Sequence, residues 1–94
     1  MTAQVIFSVK KVLDQAALVE YRKIAHQTIA DANGRVVAGF GDMKTLEGDS
    51  VVAMIVVEFR TREEAETWFH SAEYQKASEL RRKGSDCAVS LVSW

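Results

Sequence analysis

The chain has 94 residues, of which 48% are hydrophobic and 27% charged, a composition typical of one globular domain over residues 1–94. Twelve basic and thirteen acidic side chains leave a net charge of −1, which argues against a nucleic-acid or anionic-membrane partner. One cysteine and two histidines exclude a disulfide framework and a cysteine-rich zinc site.

The N-terminal segment does not have the pattern of a secretory signal, because it lacks a basic start and its apolar run is short. The longest apolar run, residues 51–57, is far below the ~20 residues that span a bilayer. We therefore expect a cytoplasmic protein without membrane contacts. Cys87 lies in an apolar stretch and is expected to be a small buried hydrophobe rather than a reactive thiol.

The chain opens with a strand pattern followed by a helix pattern. Residues 4–10 are rich in Val, Ile and Phe and predict a strand. Asp14 is a typical N-cap, and residues 16–32 place their apolar side chains on one helical face. Asn33 and Gly34 tolerate left-handed geometry and are expected to end this helix.

A hairpin is predicted next. Residues 35–44 read as a strand in which Gly39 and Gly41 indicate a bulge or a close approach to the backbone. The Leu-Glu-Gly-Asp segment at residues 46–49 is typical of a turn, and residues 51–59 form the next strand.

The last third of the chain carries a helical pattern that changes phase. Thr61 and Glu64 have the spacing of a capping box. The residues expected to face inward then change direction: Ala65, Trp68, Phe69 and Ala72 share one helical face, and Tyr74, Ala77, Ser78 and Arg81 share another that is nearly opposite. One straight helix cannot bury both faces, so we expect a break at Ser71, a second helix to about residue 83, and Gly84 closing it. Residues 87–94 then form the last strand.

The order β-α-β-β-α-β predicts an α+β, ferredoxin-like fold: a four-stranded antiparallel sheet with the helices on one face. The other face should then be polar, but both faces of the strands are apolar. The surplus is clearest in the third and last strands, at Val52, Met54, Val56, Val92 and Trp94. An exposed patch of this kind predicts a homodimer in which the two sheets pack face to face.

The sequence also resembles the DUF1330 family of the dimeric α+β barrel superfamily. The resemblance covers nearly the whole chain and rests on Tyr21, Gly34-Arg35, Leu46-Glu-Gly-Asp49, Val56-Val-Glu-Phe59, Ala65, Trp68, Ser71-Ala-Glu-Tyr-Gln75 and Arg81. Arg60 and Ala72 stand where the family usually has proline, and Asn33 where it has a first glycine. The resemblance implies a ferredoxin-like fold and a two-fold dimer but no reaction, since the family has none assigned.

The strongest candidate site residues are polar groups on apolar faces: Tyr21, Glu58, Trp68, Tyr74 and Arg81. They are expected to line a small pocket between the helices and the sheet. Because Glu58 ends the most hydrophobic strand, its carboxyl is expected to be partly desolvated, with a raised pKa. A guanidinium at Arg81 must find a carboxylate or a ligand anion, and the simpler interpretation is a structural pair with Glu58 or Glu73.

Other titratable residues have ordinary explanations. His26 and His70 fall on the polar sides of their helices and are expected to be solvated, which argues against haem degradation. Glu47 and Asp49 flank Gly48 in the predicted turn, where such residues are common. We expect neither a metal site nor a cofactor.

Two functions from different classes remain open. The first is a small homodimeric protein that binds a small, partly apolar organic ligand, for which an anion is one candidate. The alternative is a cofactor-independent enzyme of the barrel superfamily, of the monooxygenase or isomerase type. In that enzyme Glu58 would accept a proton, and Tyr21 or Arg81 would stabilise a developing oxyanion.

Overall fold

A computed structural model describes residues 2–39 and 43–94 of the chain. Seven elements follow one another: β1 (Ala3–Val12), α1 (Gln15–Asp31), β2 (Arg35–Ala38), β3 (Ala53–Phe59), α2 (Arg62–His70), α3 (Ala72–Gly84) and β4 (Ser85–Ser93). Of the helices in these residues, none is long and apolar enough to cross a bilayer.

The four strands form one antiparallel sheet in the order β2-β3-β1-β4. This is the predicted ferredoxin-like arrangement, with the first and third strands at the centre. Side chains alternate between the two faces, because successive residues of a strand point in opposite directions. Val5, Phe7 and Val9 of β1 are buried under the helices, whereas Ile6 and Ser8 point to the other face, which is open in this chain.

Aromatic rings form the centre of the core between sheet and helices. The Trp68 ring lies 4.1 Å from the Tyr74 ring and 5.3 Å from the Phe59 ring, centroid to centroid. All three side chains are almost completely buried. Burial of such large rings, with their edge and tilted contacts, is a major part of the hydrophobic stabilisation of a small domain.

The predicted N-caps of the three helices are confirmed. Asp14 accepts a hydrogen bond from the Ala17 amide, and Thr61 accepts one from the Glu64 amide. At the predicted break, the Ser71 hydroxyl donates to the Trp68 carbonyl of α2 and accepts from the Tyr74 amide of α3.

The second strand is shorter than the sequence predicts. Residues 35–44 were expected to be extended, but β2 ends at Ala38, and Lys44 lies in no strand. The register against β3 shifts between Val36 and Ala38, which interrupts the ladder just before Gly39. A glycine there has no side chain to support further pairing. The predicted irregularity at Gly41 lies outside the described residues.

Gly84 brings the end of α3 against the start of α1. A Cβ atom at Gly84 would lie 2.7 Å from Leu18 Cδ2 and 3.0 Å from the carbonyl oxygen of Asp14. The Gly84 carbonyl itself accepts hydrogen bonds from the amides of Leu13 and Asp14. This close contact holds α1 beside α3.

We expect Gly84→Ala to lower the free energy of unfolding by about 1–3 kcal/mol, because the added methyl group pushes the α1 backbone away. Gly39→Ala is the matched control, since a Cβ there meets its nearest neighbour, Ile55, at an ordinary 3.5 Å. Urea denaturation of both variants measures the difference. Equal stabilities would contradict the proposed contact between α3 and α1.

Candidate functional site

A cavity of about 190 Å³ lies between α1 and the sheet. It exists because α1 packs mainly against α3 and not down onto the strands. Its sheet wall includes Phe7, Ile55 and Val57, and its helix wall includes Leu18 and Ala25. The walls are therefore largely apolar, as is typical of sites for small organic molecules.

One side of this cavity carries a polar cluster of Tyr21, Tyr74, Arg81 and Cys87. The Tyr21 and Tyr74 hydroxyl oxygens lie 2.8 Å apart and share a hydrogen bond. Arg81 is only 7% exposed, and its Cζ atom lies 5.5 Å from the centre of the Phe7 ring. Tyr21, Arg81 and Cys87 line the cavity, whereas Tyr74 lies behind them, completely buried.

The arginine in this cluster is incompletely satisfied. Among the described residues, Arg81 Nε is buried without a hydrogen-bond partner, and no carboxylate forms an ion pair with the guanidinium. The simpler interpretation from the sequence, a pair with Glu58 or Glu73, is therefore wrong. Glu58 pairs elsewhere, and Glu73 borders a separate groove beside Trp68.

Burial sets the protonation states of the cluster. Desolvation raises the pKa of the Tyr21 and Tyr74 hydroxyls well above the usual range, although the positive charge of Arg81 opposes this effect. Burial likewise raises the pKa of the Cys87 thiol. At neutral pH both phenols and the thiol therefore carry their protons, and Arg81 supplies the positive charge of the cluster.

Trp68 supports the cluster without reaching the cavity. Its ring packs on Tyr74, and its Nε1–H group donates a 3.0 Å hydrogen bond to the Thr28 hydroxyl. The Thr28 hydroxyl in turn donates to the Ala25 carbonyl. Trp68 is thus a satisfied core residue and not part of the lining.

Glu58 is on the opposite face of the sheet, which corrects its expected place in the pocket. It shares that face with Met54 and Val56, because its position has the same parity in β3. Its carboxylate accepts a 2.8 Å hydrogen bond from Arg35 and a 3.1 Å bond from Gln4. The Arg35 hydrogen bond, followed by that of Gln4, lowers the pKa of Glu58, so the expected rise is also wrong.

Sequence reasoning missed the lining residues on the flank of α1. Arg22 and His26 both border the cavity, although His26 is also exposed, as its helical phase predicts. The place of Arg22 could have been predicted, because Leu18, Arg22, Ala25 and Ile29 recur at the three- and four-residue spacing of one helical stripe. His70 is exposed, as predicted.

We expect Arg35→Gln to raise the pKa of Glu58 towards its ordinary value, because the guanidinium is the main cause of its lowering. Arg60→Gln is the control, since Arg60 pairs with Glu64. A carbon-detected NMR pH titration measures the pKa of Glu58 in both variants.

The lowered pKa of Glu58 also makes stability depend on pH. The stabilisation is present above the pKa that Glu58 has in the unfolded chain, and it is lost as the pH falls through its pKa in the folded protein. The stability difference between wild type and Arg35→Gln should therefore shrink in acid, and an unshifted Glu58 titration would contradict the pairing.

The fold is similar to those of several solved structures with low sequence identity. A protein of unknown function from Rhodopseudomonas palustris is 12% identical, with a TM-score of 0.76 over 97% of this chain and 80% of that chain. A dimeric ferredoxin-like protein of unknown function from Jannaschia sp. CCS1 is 8% identical, with a TM-score of 0.68 over the whole of both chains. SnoaB, a cofactor-independent oxygenase from Streptomyces nogalater, is 12% identical, with a TM-score of 0.54 over 99% of this chain and 90% of that one.

No curated protein matches the sequence. The model of a family described as a domain of unknown function, DUF1330, matches residues 2–94, which confirms the resemblance seen in the sequence motifs. The chain therefore belongs to the DUF1330 family.

Proposed function

We propose that this protein binds a small, partly apolar organic anion in the cavity between α1 and the sheet. The observation that carries the proposal is Arg81: it is buried, borders the cavity and has no carboxylate partner among the described residues. A buried cation without an anionic partner is costly, so an anion that enters beside the guanidinium regains much of the lost stabilisation.

The apolar walls favour an organic ligand over an inorganic ion. Phe7, Ile55 and Val57 on the sheet side present only hydrocarbon to the cavity. Burial of ligand hydrocarbon against such walls contributes about 25 cal/mol per Å² of apolar surface. Charge recognition at Arg81 and apolar contact along the sheet thus act on two parts of one molecule.

We also propose that the protein forms a homodimer through the open face of the sheet. Ile6 and Val56 lie opposite each other at its centre, with Met54, Val92 and Trp94 exposed around them. Contiguous apolar surface of this kind usually marks an interaction site. The similar protein from Jannaschia sp. CCS1 is described as dimeric, which supports a self-complementary partner.

The enzyme alternative has less support. The fold is shared with a cofactor-independent oxygenase, but fold alone does not transfer activity. Glu58, the proton acceptor in that hypothesis, lies across the sheet from the cavity and is held ionised by Arg35. We therefore favour binding over catalysis.

We expect at least one member of a panel of small carboxylates, sulfonates and phosphate esters to bind saturably in NMR and calorimetric titrations. Arg81→Met and the cavity-filling Ala53→Leu should each weaken this binding about tenfold or more, because they remove the charge and the space respectively. The matched controls are Arg82→Met, an exposed neighbour on α3, and Ala30→Leu, exposed on α1. Absence of binding across the panel, or binding that survives both cavity variants, would refute the proposal.

We expect the wild-type protein to be a dimer at micromolar concentration and Ile6→Glu to be a monomer, because the new carboxylate would be buried without a partner. Ile24→Glu is the matched control, since Ile24 is exposed on α1, in the helical layer. Sedimentation velocity distinguishes the two states. A monomeric wild type, or an Ile6→Glu dimer, would rule out the sheet-face interface.

A further inference from the structure

Where the structure describes the cavity lining, it offers hydrogen-bond donors and positive charge but no acidic side chain. Among the described residues that border it, the ionisable side chains other than Tyr21 and Cys87 are Arg22, His26 and Arg81. The chain as a whole carries a net charge of −1, so the balance of basic and acidic side chains in this lining differs from that of the whole chain. A ligand suited to the lining presents acceptor oxygens and a negative charge.

The tyrosine pair presents one of its two hydroxyls to the cavity. The Tyr21 and Tyr74 hydroxyl oxygens lie 2.8 Å apart, and either one can be the donor of the hydrogen bond that they share. Tyr21 borders the cavity, whereas Tyr74 is completely buried and does not. The Tyr21 hydroxyl is therefore the one that a ligand carboxylate can reach, and a protonated phenol can donate a hydrogen bond to it.

Charge and volume limit the ligand further. Arg81 is the one deeply buried cation in the described lining, whereas Arg22 is half-buried and His26 is exposed, so one negative charge is compensated more strongly than a second. The cavity of about 190 Å³ is somewhat larger than the ~150 Å³ apolar cavity that is known to hold a benzene molecule. One ring and one carboxylate fill a space of this size, and a second ring would extend beyond it.

From these observations we infer that the ligand is a compact monocarboxylate with a single ring, of the benzoate type, whose carboxylate lies between Arg81 and the Tyr21 hydroxyl. This inference rests on the proposed function, because it specifies the ligand of the same cavity. The ring of such an acid lies along the apolar sheet wall formed by Phe7, Ile55 and Val57. Tyr21 is thereby a specificity-determining residue.

Four probes titrated into the full-length protein by calorimetry test the inference. Benzoate is the expected ligand, benzamide removes the charge, phenyl phosphate adds a second charge, and 4-phenylbenzoate adds a second ring. We expect benzoate to bind about tenfold or more tightly than each of the others. Benzamide loses the charge-assisted hydrogen bond, phenyl phosphate brings a second charge that Arg81 does not compensate, and 4-phenylbenzoate is larger than the cavity.

Two variants separate binding from folding. Tyr21→Phe should weaken benzoate binding about tenfold while leaving the binding of benzamide much less affected than that of benzoate, because only the hydrogen-bond donor to the carboxylate is lost. Tyr74→Phe should weaken it less, since the Tyr21 donor remains. Urea denaturation of each variant verifies that it is folded.

The outcomes of this test are distinct from those of the panel experiment. If benzamide, phenyl phosphate or 4-phenylbenzoate binds as tightly as benzoate and is sensitive to Ala53→Leu, the ligand class is wrong but the cavity still binds organic molecules. If benzoate fails to bind while another anion of the panel binds with dependence on Arg81, the inference fails and the proposed function stands. If nothing binds, both are overturned.

Discussion

The hydrogen bonds of one hydroxyl, that of Ser71, set the geometry on which the candidate site depends. By donating to the last turn of α2 and accepting from the first turn of α3, Ser71 ends one helix and begins the next. The change of direction turns Tyr74 and Arg81 inward, although Trp68 on the preceding helix also faces the core. A single straight helix would have left one of these sets in solvent. The close contact at Gly84 then fixes α1 beside α3, and the space beneath α1 becomes the cavity.

The two faces of the sheet have different chemistry. The covered face carries the aromatic core and the cavity, which Tyr21, Arg81 and Cys87 line. The open face is largely apolar; among the described residues its polar groups include Ser8 and Ser90 and, near one end, the hydrogen-bonded group of Gln4, Arg35 and Glu58. That group satisfies the partly buried carboxylate of Glu58 without drawing on Arg81, which under the proposed function is available to a ligand. A homodimer through the open face would leave the cavity accessible from its other side.

Much of this arrangement follows from local sequence rules. The change in helical phase predicts the break at Ser71, and the N-caps at Asp14 and Thr61 predict where helices begin. The inward phase of Arg81 predicts its burial. The true position of Glu58, outside the pocket, was partly predictable, because the alternation of strand residues places it on the same face as Met54 and Val56. Its partner Arg35 was not predictable, since the pairing depends on the register of β2 against β3, which alternation alone does not specify. The early end of β2 was not predictable for the same reason, because it follows a shift in the register of β2 against β3 that the amino-acid composition does not reveal.

Arg81 is a buried cation for which we propose a ligand anion as the partner, and its own Nε–H group reports directly on such binding. A ¹H–¹⁵N NMR spectrum that resolves the arginine Nε–H signals can follow Arg81, assigned through the Arg81→Met variant, during titration with benzoate. The account predicts a slowly exchanging Arg81 signal, because Nε is shielded from solvent, that shifts along a saturable curve as the acid binds. An Arg81 signal that exchanges as fast as those of exposed arginines, or that does not move while benzoate binds elsewhere, would contradict it.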